Sequence, residues 1–294
     1  ILGKPGGASS RLNIMGVCNS VAGIIAPLIF GFITLNNADQ LKKELLTLPT
    51  AERLARLDEL SSRVIIPYLI ITLVLVGLAT MVHFSGLPEI DTDAEDTSLG
   101  DQSRKTSVFQ FRHLVLGIVA IFCYVGVEVM AVDTVVNFGT FQGFSFETAA
   151  SFPAAVVLAM FFGRFAGIFV IGKRIAPSKA LVLTASVGFG LALLAMFTQG
   201  YVSIGCLVLM GLCNSVMWPI IFPLAITGLG RFTKIGSSYL IMAIVGGAII
   251  PLVYGRLADP DLLNRQAAYV VFLPCYIFLL YYGWRGYKTV ASGQ

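Results

Sequence analysis

Residues 211–255 read GLCNSVMWPIIFPLAITGLGRFTKIGSSYLIMAIVGGAIIPLVYG, and this stretch decides the fold. Two long apolar runs flank a short basic turn that holds Arg231 and Lys234. A bilayer crossing takes roughly 20 apolar residues, and each run is long enough. Both contain Pro and several Gly, residues that break a soluble helix. A membrane helix tolerates them because neighbouring helices re-satisfy the freed backbone groups. Asn214 sits in the first run without a charged neighbour, and Trp218 lies one helical turn after it.

The second run has a counterpart near the N-terminus. Gly23, Pro27 and Gly31 recur as Gly247, Pro251 and Gly255, all three at an offset of 224 residues. The surrounding text agrees, VAGIIAPLIFG against VGGAIIPLVYG. A three-point match within similar apolar text marks an internal repeat.

Composition gives the class. Of 294 residues, 56% are hydrophobic and only 12% charged, where soluble domains carry about 25% charged residues. Mean hydropathy is +0.84. The reading is an all-α, polytopic membrane protein. The net charge of +4 is modest and its basic residues cluster in short loops, which fits membrane topology and argues against nucleic acid as a partner. The five cysteines, Cys18, Cys123, Cys206, Cys213 and Cys275, all lie in apolar runs and read as packing residues.

Eight spanning helices are predicted, at 12–35, 64–84, 113–138, 149–172, 180–199, 202–227, 236–257 and 267–285. The stretch 40–63 alternates leucines with charges and reads as a pair of short surface helices. The acidic, aromatic-poor segment that begins at Leu87 reads as a linker, 87–112. Lys173, Arg174 and Lys179 fill the turn after the fourth helix, Arg231 and Lys234 follow the sixth, and Arg285 and Lys288 follow the eighth. The turns after the third and fifth have no Lys or Arg. The positive-inside rule then places both chain ends and the linker in the cytoplasm; the basic stretch 40–63 fits this topology least well.

Because the first helix matches the seventh, the repeating unit is six helices. The expectation is therefore eight of twelve transmembrane helices: 1–86 as the last two of an N-terminal bundle, 87–112 as a cytoplasmic linker, and 113–294 as a complete six-helix C-terminal bundle. Parallel six-helix halves are a transporter pattern.

Four segments carry a family resemblance: RLNIMGVCNS from Arg11, YVGVEV from Tyr124, GLCNSVMWPIIFPLAITGLG from Gly211, and MAIVGGAIIPLVYGRLAD from Met242. They resemble the fucose permease type of sugar:proton symporter in the major facilitator superfamily, and the resemblance spans nearly the whole chain. It implies the major facilitator fold, alternating access around a central sugar site, the proton as coupling ion, a monomer, and a bacterial inner membrane. The family's fifth helix usually reads Arg-Leu-Asn-x-x-Gln-x-x-Asn. Arg11, Leu12, Asn13 and Asn19 match it, whereas Gly16 stands where the sugar-binding Gln is usual. Asp133 occupies a position that is usually small. The resemblance also implies that the family's proton-coupling acids lie in its first and fourth helices, which this chain lacks.

Glu128 and Asp133 are the acids within a predicted span. A charge at bilayer depth costs at least about 2.5–3.5 kcal/mol, so such groups face a cavity or a partner. Both are candidates for proton coupling, and Glu128 also for accepting from sugar hydroxyls; a structural hydrogen bond is the plainer reading. Asn19, Asn137 and Asn214 are amides able to donate to and accept from sugar hydroxyls. The plainer reading is interhelical glue, favoured for Asn137, with sugar contact favoured for Asn19 and Asn214. Trp218, with Phe222, is a candidate to stack on an apolar sugar face, against a packing role. Arg164 reads as a snorkelling interfacial arginine ahead of a gating ion pair. Gly163 and Gly167 read as a close-packing surface, and His83 and His113 as interfacial anchors. No metal cluster, phosphate-cradling loop or nucleophile triad is present in the pattern, so neither an enzyme nor a cofactor is expected. A membrane sensor that binds without transport, and a nonfunctional fragment, stay open as alternatives.

Overall fold

The computed structural model describes residues 8–34, 65–85, 106–259 and 261–288, together with residues 49, 52, 58 and 62. Apart from those four residues, the stretch 40–63 expected to form surface helices lies outside the described residues, as does the linker as far as residue 105.

Seven described helical stretches are long and apolar enough to cross a membrane. Ahead of them runs α1, Ala8–Thr34, which carries Gly23, Pro27 and Gly31 in one continuous helix. The spans follow the expected order. They are α2, Ile65–Phe84; α3, Arg112–Asp133, continued past Thr134 by the short α4, Val135–Phe141; α5, Phe146–Val170; and α6, Pro177–Phe197. The next two are broken. One is split into α7, Gly200–Asn214, and α8, Met217–Ile226. The other is split into α9, Thr233–Met242, and α10, Gly246–Leu257, with a 3₁₀ turn Ala243–Val245 between them. The last span joins a 3₁₀ turn, Ala267–Val271, to α11, Phe272–Tyr281, and ends in a π turn, Tyr282–Gly286.

The chain divides into two compact units, Ala22–Asp91 and the remainder, Ile1–Val21 with Thr92–Gln294. In the first, α2 exposes large apolar side chains all round, from Ile65 to Phe84, as a helix facing lipid does. Its polar side chains are satisfied locally: Thr72 Oγ1 donates to Tyr68 O at 2.8 Å, and Thr80 Oγ1 to Val76 O at 2.6 Å.

In the second unit α3 is central. Leu114, Ala120, Ile121, Val127 and Met130 along it are fully buried, and it packs on α8, α10 and α11, while α7 lies against both α5 and α6. Small residues set these crossings, since van der Waals packing, more than hydrophobicity, drives helix association in lipid. A Cβ on Gly246 would sit 2.0 Å from Phe122 O, so only glycine permits the α10–α3 approach. A Cβ on Gly163 would meet Ser215 Oγ at 2.2 Å and Leu212 O at 2.6 Å, as the close-packing reading of that residue requires. At one end of this unit Gln266 Nε2 donates to Ala195 O at 3.0 Å and to Thr198 O at 2.5 Å, while Gln142 Oε1 accepts from Gly200 N at 3.0 Å. The Gln266 bonds satisfy carbonyls at the end of α6, and the Gln142 bond satisfies the first N–H of α7.

Candidate functional site

The two broken spans meet at one cavity of about 360 Å³, within the size range of small-molecule sites. Its wall includes Ser215 from the α7–α8 break and Ile244 from the α9–α10 break. Both breaks open beside the cavity, whereas α1, which carries the same Gly-Pro-Gly pattern, has none.

Helix α1 contributes Leu12, Met15, Gly16 and Asn19; α3 contributes Tyr124, Val125 and Glu128; α5 contributes Arg164; α8 contributes Trp218 and Pro219. The polar centre is an ion pair, with Arg164 Nη2 3.1 Å from Glu128 Oε1. The other carboxylate oxygen accepts from Tyr124 OH at 2.5 Å, one turn earlier on the same helix. Arg164 also donates through Nη1 to Gly16 O at 3.1 Å and to Ser20 Oγ, and through Nε to Ser215 O at 3.4 Å. Each guanidinium nitrogen is therefore engaged, which is how a charge persists inside an apolar bundle. The Trp218 ring stacks on Phe222, with centroids 5.5 Å apart, and lies 6.4 Å from the Tyr124 ring. The cavity is thus lined by an aromatic side chain, a cation–carboxylate pair and Asn19. Such a set can hold a ligand with an apolar face and several hydroxyls.

Of the residues singled out in the sequence, Glu128, Asn19 and Trp218 come together here. Asn214 does not. It is fully buried, and its Oδ1 accepts from Tyr276 OH at 2.8 Å. The sugar-contact expectation for Asn214 is corrected to interhelical glue between α7 and α11. Its cause is the turn at Ser215–Val216, which breaks the register that would have put Asn214 on the face of Trp218. Asp133 and Asn137 also fall outside the cavity. Both are exposed, and the Asn137 carbonyl accepts from Arg265 Nη1 at 3.3 Å. Four residues apart, the two lie on the same exposed side, since Thr134 keeps a helical backbone and bonds back to Met130 O at 3.1 Å.

Two basic side chains are corrected. Arg164 is 8% exposed and turns inward to Glu128, so it does not snorkel. His113 is buried and donates from Nε2 to Thr227 O at 2.9 Å, tying the start of α3 to the end of α8; it is not an interfacial anchor. His83 is exposed beside Phe84. Arg164, Tyr124, Ser20 and Ser215 are polar residues that sequence reasoning left out of the site. A lone cation within the apolar run 146–170 was the available signal for the first.

No family model matches the chain. Individual proteins do. The glucose/galactose transporter of Brucella abortus is 35% identical over 292 residues, covering 98% of this chain and 66% of that protein. A putative glucose/galactose transporter of Helicobacter pylori is 31% identical over 296 residues, covering 96% and 67%. This chain thus spans about two thirds of the length of these relatives. Among solved structures, the Escherichia coli fucose:proton symporter FucP, a major facilitator superfamily transporter, matches with a TM-score of 0.79 at 27% identity, covering 99% of this chain and 71% of that one. With seven spanning helices in the expected order after α1, broken spans beside a cavity and these likenesses, the chain belongs to the fucose permease type of sugar:proton symporters, the glucose/galactose and fucose transporter family of the major facilitator superfamily.

Proposed function

We propose that this protein is a secondary active transporter that carries a monosaccharide of the glucose, galactose or fucose class together with protons, by alternating access. The observation that carries this reading is the Glu128–Arg164 pair, 3.1 Å apart on the wall of a cavity that Trp218 also lines. Broken membrane helices mark substrate and ion sites in secondary transporters, and a buried carboxylate held by a partner is a proton-titrating group in such settings. Glu128 serves as the proton site, Asn19 reads ligand hydroxyls, and Trp218 supports an apolar sugar face. Helices α1 and α2 belong to one bundle and 113–294 to the other. Both chain ends face the cytoplasm of a bacterial inner membrane, and the protein works as a monomer.

The test is counterflow in proteoliposomes. Vesicles preloaded with unlabelled D-galactose, D-glucose or L-fucose should take up the labelled sugar transiently, and an inward proton gradient should drive its accumulation until a protonophore is added. A sensor that binds without transport gives no counterflow with any of the three.

A further inference from the structure

The contacts of Arg164 reach beyond its ion pair. Of its three hydrogen-bond partners outside Glu128's helix, Gly16 O and Ser20 Oγ lie on α1, and the third, Ser215 O, lies at the α7–α8 break. The stem of Arg164 lies flat against α1 at one residue: a Cβ built on Gly16 would be 3.0 Å from Arg164 Cδ and 3.2 Å from its Nε. That is tighter than ordinary contact, so a side chain at position 16 requires the arginine stem, and with it the Nε donor, to shift by a few tenths of an ångström. Three residues further along the same helix, Asn19 lines the cavity.

We propose that Arg164 is a positioning residue that ties the protonation of Glu128 to α1, and that Gly16 is the position that lets it do so. The proposal takes the proton-carrying role of Glu128 from the function proposed above. A proton from water adds to the Glu128 carboxylate and gives a neutral carboxylic acid; no other bond is made or broken, and Arg164 keeps its charge. With Glu128 ionised, the guanidinium is shared between α3 and α1. With Glu128 protonated, its remaining acceptors are Gly16 O, Ser20 Oγ and Ser215 O, so α1 holds the larger share. The proton state is thereby passed to the helix that presents Asn19. The titratable and charged groups facing Glu128 are Tyr124 on its own helix and Arg164 from α5. The other elements around the cavity present Gly16, Asn19, Ser215, Trp218 and Ile244, which do not titrate.

The experiment is a double-mutant cycle on the purified protein, Gly16→Ala and Arg164→Lys singly and together. It reads the thermal unfolding midpoint from pH 5 to pH 8, with Glu128→Gln as the pH control. The wild-type midpoint should move with pH, and Glu128→Gln should flatten that profile. Each single variant should lower the midpoint by about 2–4 °C at the alkaline end and shrink its pH dependence. The double variant should be no worse than the worse single one, because residues acting through one contact do not add. Ser20→Ala, which removes an α1 acceptor without adding bulk, should shrink the pH dependence in the same way if Gly16→Ala fails to fold. Additive effects, or an unaltered pH profile in Arg164→Lys and Ser20→Ala, overturn the proposal: plain packing at position 16 lowers the midpoint equally at every pH. Counterflow of the wild type, measured alongside, fails separately if the transport reading is the error.

Discussion

The Arg164 guanidinium and the Glu128 carboxylate lie 3.1 Å apart, and their side chains are only 10% and 17% exposed. This pair joins α5 to α3 at the cavity. Breaking such a buried pair from one side leaves an uncompensated charge, at a cost of about 3–5 kcal/mol. Arg164→Ala should therefore strongly reduce membrane abundance and the thermal midpoint. Glu128→Gln combined with Arg164→Gln should recover much of the loss, since both charges are then gone. Fluorescence-detected gel filtration after a heat step measures both outcomes.

Trp218 is placed to bind ligand. It is half-buried on the cavity wall, and its ring is held by stacking on Phe222. An aromatic stacking contact is worth about 0.5–1.5 kcal/mol, and each 1.4 kcal/mol is about tenfold in affinity. Trp218→Ala should raise the apparent Km for the transported sugar by about two- to tenfold with normal abundance, and Trp218→Phe should restore most of it. Initial-rate uptake over a range of sugar concentrations checks this.

Asn214 should behave differently, although it lies four residues before Trp218. Its bond to Tyr276 OH is fully buried, and interhelical hydrogen bonds in membranes average about 0.6 kcal/mol. Asn214→Ala and Tyr276→Phe should each lower stability modestly and leave the apparent Km unchanged. A raised Km in either would return Asn214 to the binding site.

Asp133 is exposed at the end of α3 and takes no part in the cavity. Exposed substitutions usually stay within about 0.5 kcal/mol, a factor of about two in rate. Asp133→Asn should therefore leave proton-driven accumulation within about twofold of wild type. Loss of accumulation in this variant would make Asp133 a coupling group.

The sequence shows what depends on apolar length and on charge inside it. The spans are legible because each is an uninterrupted apolar run, and Glu128 stands out because it is ionisable within one. Breaks in those runs are what the reading missed. Asn214 and Trp218 share a face only on a continuous helix, and the turn at Ser215–Val216 removes that continuity. Arg164 was misread for a related reason. Its place six residues from the end of α5 suits a side chain reaching for the interface, and nothing in the local text shows that Gly16, far away in the chain, leaves the room it occupies.

The most direct test of the central claim compares two transport modes in Glu128→Gln proteoliposomes. If Glu128 carries the coupling proton, an imposed proton gradient should no longer drive sugar accumulation, while sugar-for-sugar counterflow, which needs no net proton movement, should still be detectable. Accumulation at the wild-type level in this variant would contradict the claim.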